Sequence, residues 1–203
     1  MDGPIMSGLS AAADLLVLNL LTILCSLPIF TVGASLTALN VSCFHIIRQE
    51  GSSVVKGYFL AFRSNFKQGT FLGLLFLAAA ALLYFDYLAA LTYAPLFRIG
   101  IVAISILLLA VFEYAFALLS RYENTLSATL KNAAMLSVAY FPRTLLMLMF
   151  TIGFWLACIT FLRIMGPVVL LFGISLPCYI CCMLLGEVFR KLEEDQTEND
   201  TLS

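Results

Sequence analysis

Residues Arg121–Thr144 read RYENTLSATLKNAAMLSVAYFPRT. This is the longest polar interruption of an otherwise apolar chain, and long hydrophobic runs abut it on both sides. A second stretch, Gly51–Thr70, has the same character: GSSVVKGYFLAFRSNFKQGT. Apolar segments of span length separated by short basic, polar segments are the pattern of a chain that crosses a bilayer repeatedly.

Composition agrees. Of 203 residues 62% are hydrophobic and 11% charged, with mean hydropathy +1.02; a soluble domain carries about 25% charged residues. A net charge of −1 excludes the broad basic field of a nucleic-acid binder. One histidine, His45, and one tryptophan, Trp155, leave little material for imidazole chemistry. The six cysteines (Cys25, Cys43, Cys158, Cys178, Cys181, Cys182) all lie in apolar runs, which argues against a disulfide framework. The CYICC cluster at 178–182 has no histidine or carboxylate close by in sequence, so it reads as small packing residues and not as a zinc site. The first apolar run lacks a basic n-region and a small-x-small site, so it is expected to stay in the protein.

In chain order, residues 1–13 read as a loose lead-in and Asp14 as the start of the first helix. Leu15–Ile47 is too long for one crossing and is broken at Pro28–Gly33. A broken helical hairpin over 14–47 is preferred; the alternative is one span and one helix lying flat. The two put the N-terminus on opposite sides, giving six or five spans. Over 53–66, Val55, Tyr58, Phe59, Phe62 and Phe66 form a helical apolar stripe opposed by Lys56, Arg63 and Lys67, the pattern of an interfacial amphipathic helix. Spans follow at 69–91 and 99–120, then a second interfacial helix over 124–141, then spans at 142–162 and 168–189. Residues 190–203 are acidic and polar and read as a disordered tail.

Nine of the eleven basic residues fall on one side of this arrangement, and only Arg98 and Arg163 on the other. The positive-inside bias therefore predicts cytoplasmic polar segments and a cytoplasmic C-terminus. A shift of 75 residues lays Lys56 on Lys131 and Phe66 on Phe141, a repeated layout with both copies in the same orientation.

The blocks NLLTILCSLPIFTVGASLTAL (19–39), AFRSNFKQGT (61–70) and RYENTLSATLKNA (121–133), followed by FPRT (141–144), resemble those of the YesL family. These are small bacterial integral membrane proteins whose domain is of unknown function. The resemblance implies a Gram-positive cell membrane and genes set beside carbohydrate ABC-transporter components and glycan-degrading enzymes. It therefore implies an accessory or regulatory role in carbohydrate uptake, with the lipid bilayer and an ABC permease as partners. It brings no catalytic residue and no cofactor. The alternative is a small transporter or channel in its own right.

Glu113 is the leading candidate in that alternative, because an ionisable group inside a span is costly and marks function by default. The structural reading is a carboxylate paired with a basic residue of the inner face, or a carboxyl that is simply protonated. Asp86 is expected to pair with Arg98 or Arg163. Arg121, Glu123, Asn124, Lys131 and Arg143, with Lys56, Arg63 and Lys67, form the candidate docking face. Asn124 or Thr125 would cap the second interfacial helix, and Gly69 with Gly73 makes a GxxxG that permits close helix approach. No catalytic constellation, phosphate loop or nucleic-acid arm is found, so an enzyme is not expected.

Overall fold

The first apolar run folds back on itself because Pro28 cannot continue a helix and Thr31 stitches the resulting turn. The computed structural model describes residues 4–49, 53–93, 97–122, 124–161, 166, 169 and 171–202. In it α1 (Pro4–Cys25) and α2 (Val32–Ile47) are joined by a short 3-10 turn, Ile29–Thr31. The Thr31 hydroxyl donates toward the carbonyls of Cys25 (2.6 Å) and Pro28 (2.7 Å), covering acceptors that the end of α1 leaves open. Residues of the 8–14 stretch and of the 42–49 stretch line one groove, so the two helices form a hairpin.

Two expectations are corrected here. The lead-in is helical from Pro4, since proline costs nothing in a first turn and Ala11–Ala13 favour the helix. Asp14 consequently sits well inside α1 instead of at its start. Both arms of the hairpin are then long enough to cross a membrane, at Gly8–Cys25 and Ile29–Ile47.

The remaining helices are α3 (Val54–Ser64), α4 (Phe66–Tyr93), α5 (Phe97–Leu119), α6 (Leu126–Ala139), α7 (Phe141–Thr160) and α8 (Ser175–Leu202). No strand occurs among the described residues, and the chain is a polytopic helical bundle. Five segments are long and apolar enough to cross a bilayer: the two arms, Phe66–Leu91, Phe97–Leu119 and Phe141–Thr160. Two further expectations change. The segment expected to span 168–189 is broken by a turn at Gly173–Ile174, with α8 starting after it. The tail expected to be disordered continues α8 to Leu202, because Leu, Glu and Gln extend an existing helix readily.

The centre of the bundle is α2. Its span is 61% buried, against 11% for α4 and 33% for α5, and it packs on α1, α3, α4, α5 and α8. Three of its polar side chains bond back within the helix: Thr37 donates to the Gly33 carbonyl, Asn40 to Leu36 and Ser42 to Ala38, each at 2.9 Å, while the Ser35 hydroxyl is buried without a hydrogen-bond partner. This back-bonding lets Thr37 and Ser42 sit in an apolar bundle without interhelical partners of their own.

The GxxxG of α4 is used, and its partner is a third glycine. A Cβ on Gly33 would lie 2.7 Å from the Gly73 Cα and closer still to the Gly69 carbonyl oxygen. A Cβ on Gly69 would meet the Ala34 Cα at 2.9 Å. The two backbones touch, and dispersion contacts between them hold the crossing.

Helices α3 and α6 dock on α2 and α5 respectively. On α3 the expected stripe is split. Tyr58 and Ala61 are buried, whereas Val55, Phe59 and Phe66 face outward. The Tyr58 hydroxyl donates to the Ser35 carbonyl at 3.4 Å, and burial pushes its phenol up to about 12, so it remains a neutral donor. Thr125 is the cap of α6, accepting from the Ala128 N–H at 3.4 Å, and Arg98 donates to the Ala90 and Leu91 carbonyls near the end of α4. Arg163, its expected companion near Asp86, lies outside the described residues.

Candidate functional site: a basic groove and a buried polar seam

The corner between α3 and α4 and the corner between α5 and α6 come together in space. Gln68 Nε2 donates to the Asn124 carbonyl at 3.4 Å and links them. Between them runs a groove of about 1240 Å3 whose walls carry Arg63, Lys67, Arg121 and Asn124. Its aromatic sides are Phe59, Phe62, Phe66 and Tyr122. Arg63 and Lys67 are exposed. The Arg121 guanidinium lies 5.9 Å from the Tyr122 ring centre and 5.2 Å from that of Phe189 on α8, a cation–π setting that fixes its direction. Three cations from two sequence-distant corners, Arg63, Lys67 and Arg121, thus line one cleft, a setting suited to an anion or an acidic segment.

Four of the expected docking residues thus share one wall system. Lys56 and Lys131 are exposed but stand outside the groove. Glu123 lies outside the described residues. Arg143 belongs elsewhere: its Nη2 bonds Glu187 Oε2 of α8 at 2.8 Å, a pairing across 44 residues that no local pattern announces.

Behind the groove, α8 carries a seam of polar contacts to α1, α2 and α7, and through α7 to α5. At its start, Asn19 Oδ1 of α1 accepts from the N–H groups of Ile174 (2.9 Å) and Ser175 (3.0 Å). A helix begun inside an apolar bundle needs such a cap, since water is not there to serve its open donors. Further along, the Cys182 thiol donates to Asn40 Oδ1 of α2 at 3.3 Å. Thr151 of α7 donates to Glu113 Oε1 of α5 at 2.6 Å. Its proton is thereby committed, so the Cys181 thiol, with Sγ 3.7 Å away, donates to the Thr151 oxygen. The three groups form one chain ending on the carboxylate. Glu113 Oε2 is buried without a hydrogen-bond partner. The expected pairing of Glu113 with a basic residue is therefore replaced by a hydroxyl.

A family model described as "Protein of unknown function, DUF624" matches residues 15–87, the stretch from α1 into α4 that contains Gly33, Gly69, Gly73, Arg63 and Lys67. No curated protein and no solved structure matches the chain.

Proposed function

We propose that this chain is a YesL-type protein of a bacterial cell membrane, with its C-terminus in the cytoplasm. In this reading it acts as an accessory or regulatory component of carbohydrate ABC-type uptake. The single observation that carries the reading is the groove, where Arg63, Lys67 and Arg121 converge on one cleft. Basic residues gathered on one face are what the positive-inside bias assigns to the cytoplasm. An acidic cytoplasmic segment of a permease is the complementary partner, and charge complementarity of this kind sets orientation and association rate. Of the expected docking face, the groove keeps Arg63, Lys67, Arg121 and Asn124 and leaves Lys56 and Lys131 outside.

The test is photo-crosslinking from position 64, beside Arg63 on the groove wall, in native membranes. Adducts with a permease subunit are expected, and the double substitution R63E/K67E should remove them while leaving membrane abundance unchanged. Adducts with lipid alone would overturn the docking reading.

A second reading, a small transporter with Glu113 in the path, is favoured by the unpartnered Glu113 Oε2. Under it Glu113→Gln abolishes uptake at unchanged abundance. Uptake insensitive to that substitution would remove it.

A further inference from the structure

Two helices of this bundle each offer a pair of soft or oxygen donors to the same point. On α2 the pair is Asn40 and Cys43, three residues apart. On α8 it is Cys178 and Cys182, four apart. Residues at these spacings stand one above the other on a helix face, and the three sulfurs lie within 4.8 Å of one another. Asn40 Oδ1 stands 3.3 Å from the Cys182 sulfur. Its amide nitrogen is tied to the Leu36 carbonyl at 2.9 Å, so the oxygen is aimed at the thiols by a bond on its other end. From the sequence the sulfurs of CYICC were expected to act together as packing residues. In space Cys181 turns to Thr151, and Cys43, well over a hundred residues earlier, takes its place.

We infer that Cys43, Cys178, Cys182 and Asn40 form a four-donor site for a thiophilic divalent cation of the zinc class. Tetrahedral thiolate sites hold zinc at about 2.3 Å from each sulfur, which sets neighbouring sulfurs somewhat under 4 Å apart. The observed spacing therefore needs only a small contraction. Asn40 fits the fourth corner, where an oxygen at about 2.0–2.2 Å completes the shell, and its bond to Leu36 is the outer support that such ligands ordinarily have. Binding would expel three thiol protons. A divalent ion among three thiolates leaves one net negative charge; a monovalent cuprous ion would leave two, which an apolar surround penalises more heavily. A groove of about 820 Å3 lies on the same two helices, lined by Ser42 and His45 of α2 and by Tyr179 and Met183 of α8; Cys43 and Cys182 themselves are fully buried.

The experiment uses the full chain, purified in detergent under reducing conditions. It is titrated with Co2+, whose thiolate charge-transfer absorption reports sulfur ligation, and then with Zn2+. One equivalent of Co2+ with a thiolate band, displaced by Zn2+, is expected. Cys43→Ser should weaken binding by about a hundredfold or more, and Asn40→Ala by at least the ~10–100-fold that losing an outer support costs, because it removes a donor together with its support. Cys25→Ser, Cys158→Ser and Cys181→Ser should bind as the parent does. Folding of each variant is checked by gel filtration. Because Cys43→Ser could fail to fold, the parent protein is also alkylated with and without Zn2+, and each cysteine is followed by mass spectrometry. Protection confined to Cys43, Cys178 and Cys182 supports the site. A folded, reduced parent with no thiolate band, protection that includes Cys181 equally, or binding of cuprous ion with Zn2+ excluded overturns it.

Discussion

The two halves of this bundle share a plan and differ in what holds it. Helices α2, α3 and α4 recur as α5, α6 and α7, and α4 and α7 begin at Phe66 and Phe141, 75 residues apart. In both copies the middle helix docks on the one before it. In the first copy the outer pair meets backbone to backbone through Gly33, Gly69 and Gly73. In the second copy the positions of Gly69 and Gly73 are taken by Thr144 and Leu148. There the helices meet through side chains. Thr144 donates to the Ser137 carbonyl at 2.9 Å, so the Tyr114 hydroxyl, 3.0 Å away, donates to Thr144. One turn or two further on, Thr151 donates to Glu113. Close backbone packing defines the first junction, and polar side-chain contacts define the second, which also carries the buried carboxylate.

Substitutions break this comparison in a definite order. Gly33→Ala should be the most damaging, because the new methyl meets backbone atoms of α4 that cannot rotate away. Overpacking of this kind costs about 1–3 kcal/mol or more, and thermal unfolding in detergent should show the largest fall in midpoint of any single change here. An unchanged midpoint would mean that the glycine crossing is not close-packed.

Next comes Thr151→Val, which leaves both the Glu113 carboxylate and the Cys181 thiol without their bridge. The loss of a buried partner costs about 1–3 kcal/mol. Glu113→Gln, which can still accept from Thr151, should lose less, and the reverse ranking would refute the hydroxyl bridge. Tyr114→Phe removes one hydroxyl from the second junction and should lower stability by about 1 kcal/mol, measured in the same unfolding series. The smallest effect is expected for Glu187→Gln. That carboxylate is 63% exposed, and an ion pair so open to solvent is worth about 0–1 kcal/mol. A drop larger than that of Tyr114→Phe would show that Arg143 is held by Glu187 more tightly than solvent screening allows.

Much of this architecture was legible in the chain. The apolar runs of α1, α2, α4, α5 and α7, the break at Pro28, a cap at Asn124 or Thr125 and the 75-residue layout all depend on neighbours in sequence and are legible there. What escaped depends on how helices are rotated against one another. Gly69 and Gly73 were visible as a motif, but nothing local pointed to Gly33 as their partner. Glu113 was singled out by its cost inside a span, while Thr151 looked like any hydroxyl in an apolar helix. Cys43 gave no sign that it would face Cys178 and Cys182. The turn at Gly173 was hidden because its cap, Asn19, lies at the other end of the chain. Of the groove, Arg63, Lys67, Arg121 and Asn124 are legible as candidates; which of the nine basic residues converge is not, since that depends on the angle between two corners.

The Asn19 cap also imposes an order on biogenesis. Asn19 leaves the ribosome 155 residues before Ile174, the first N–H it serves. At about 5–20 residues per second, its carbonyl waits roughly 8–30 s in the assembling membrane protein before the donor exists. During that interval the Asn19 oxygen lacks the Ile174 and Ser175 donors, a mark that the last helix erases. Chains ended at Phe161 should therefore be inserted yet cleared faster in pulse-chase than the full chain, and Asn19→Leu should slow the clearance of the truncated form. Equal half-lives for the two truncated chains would show that the cell does not read this mark.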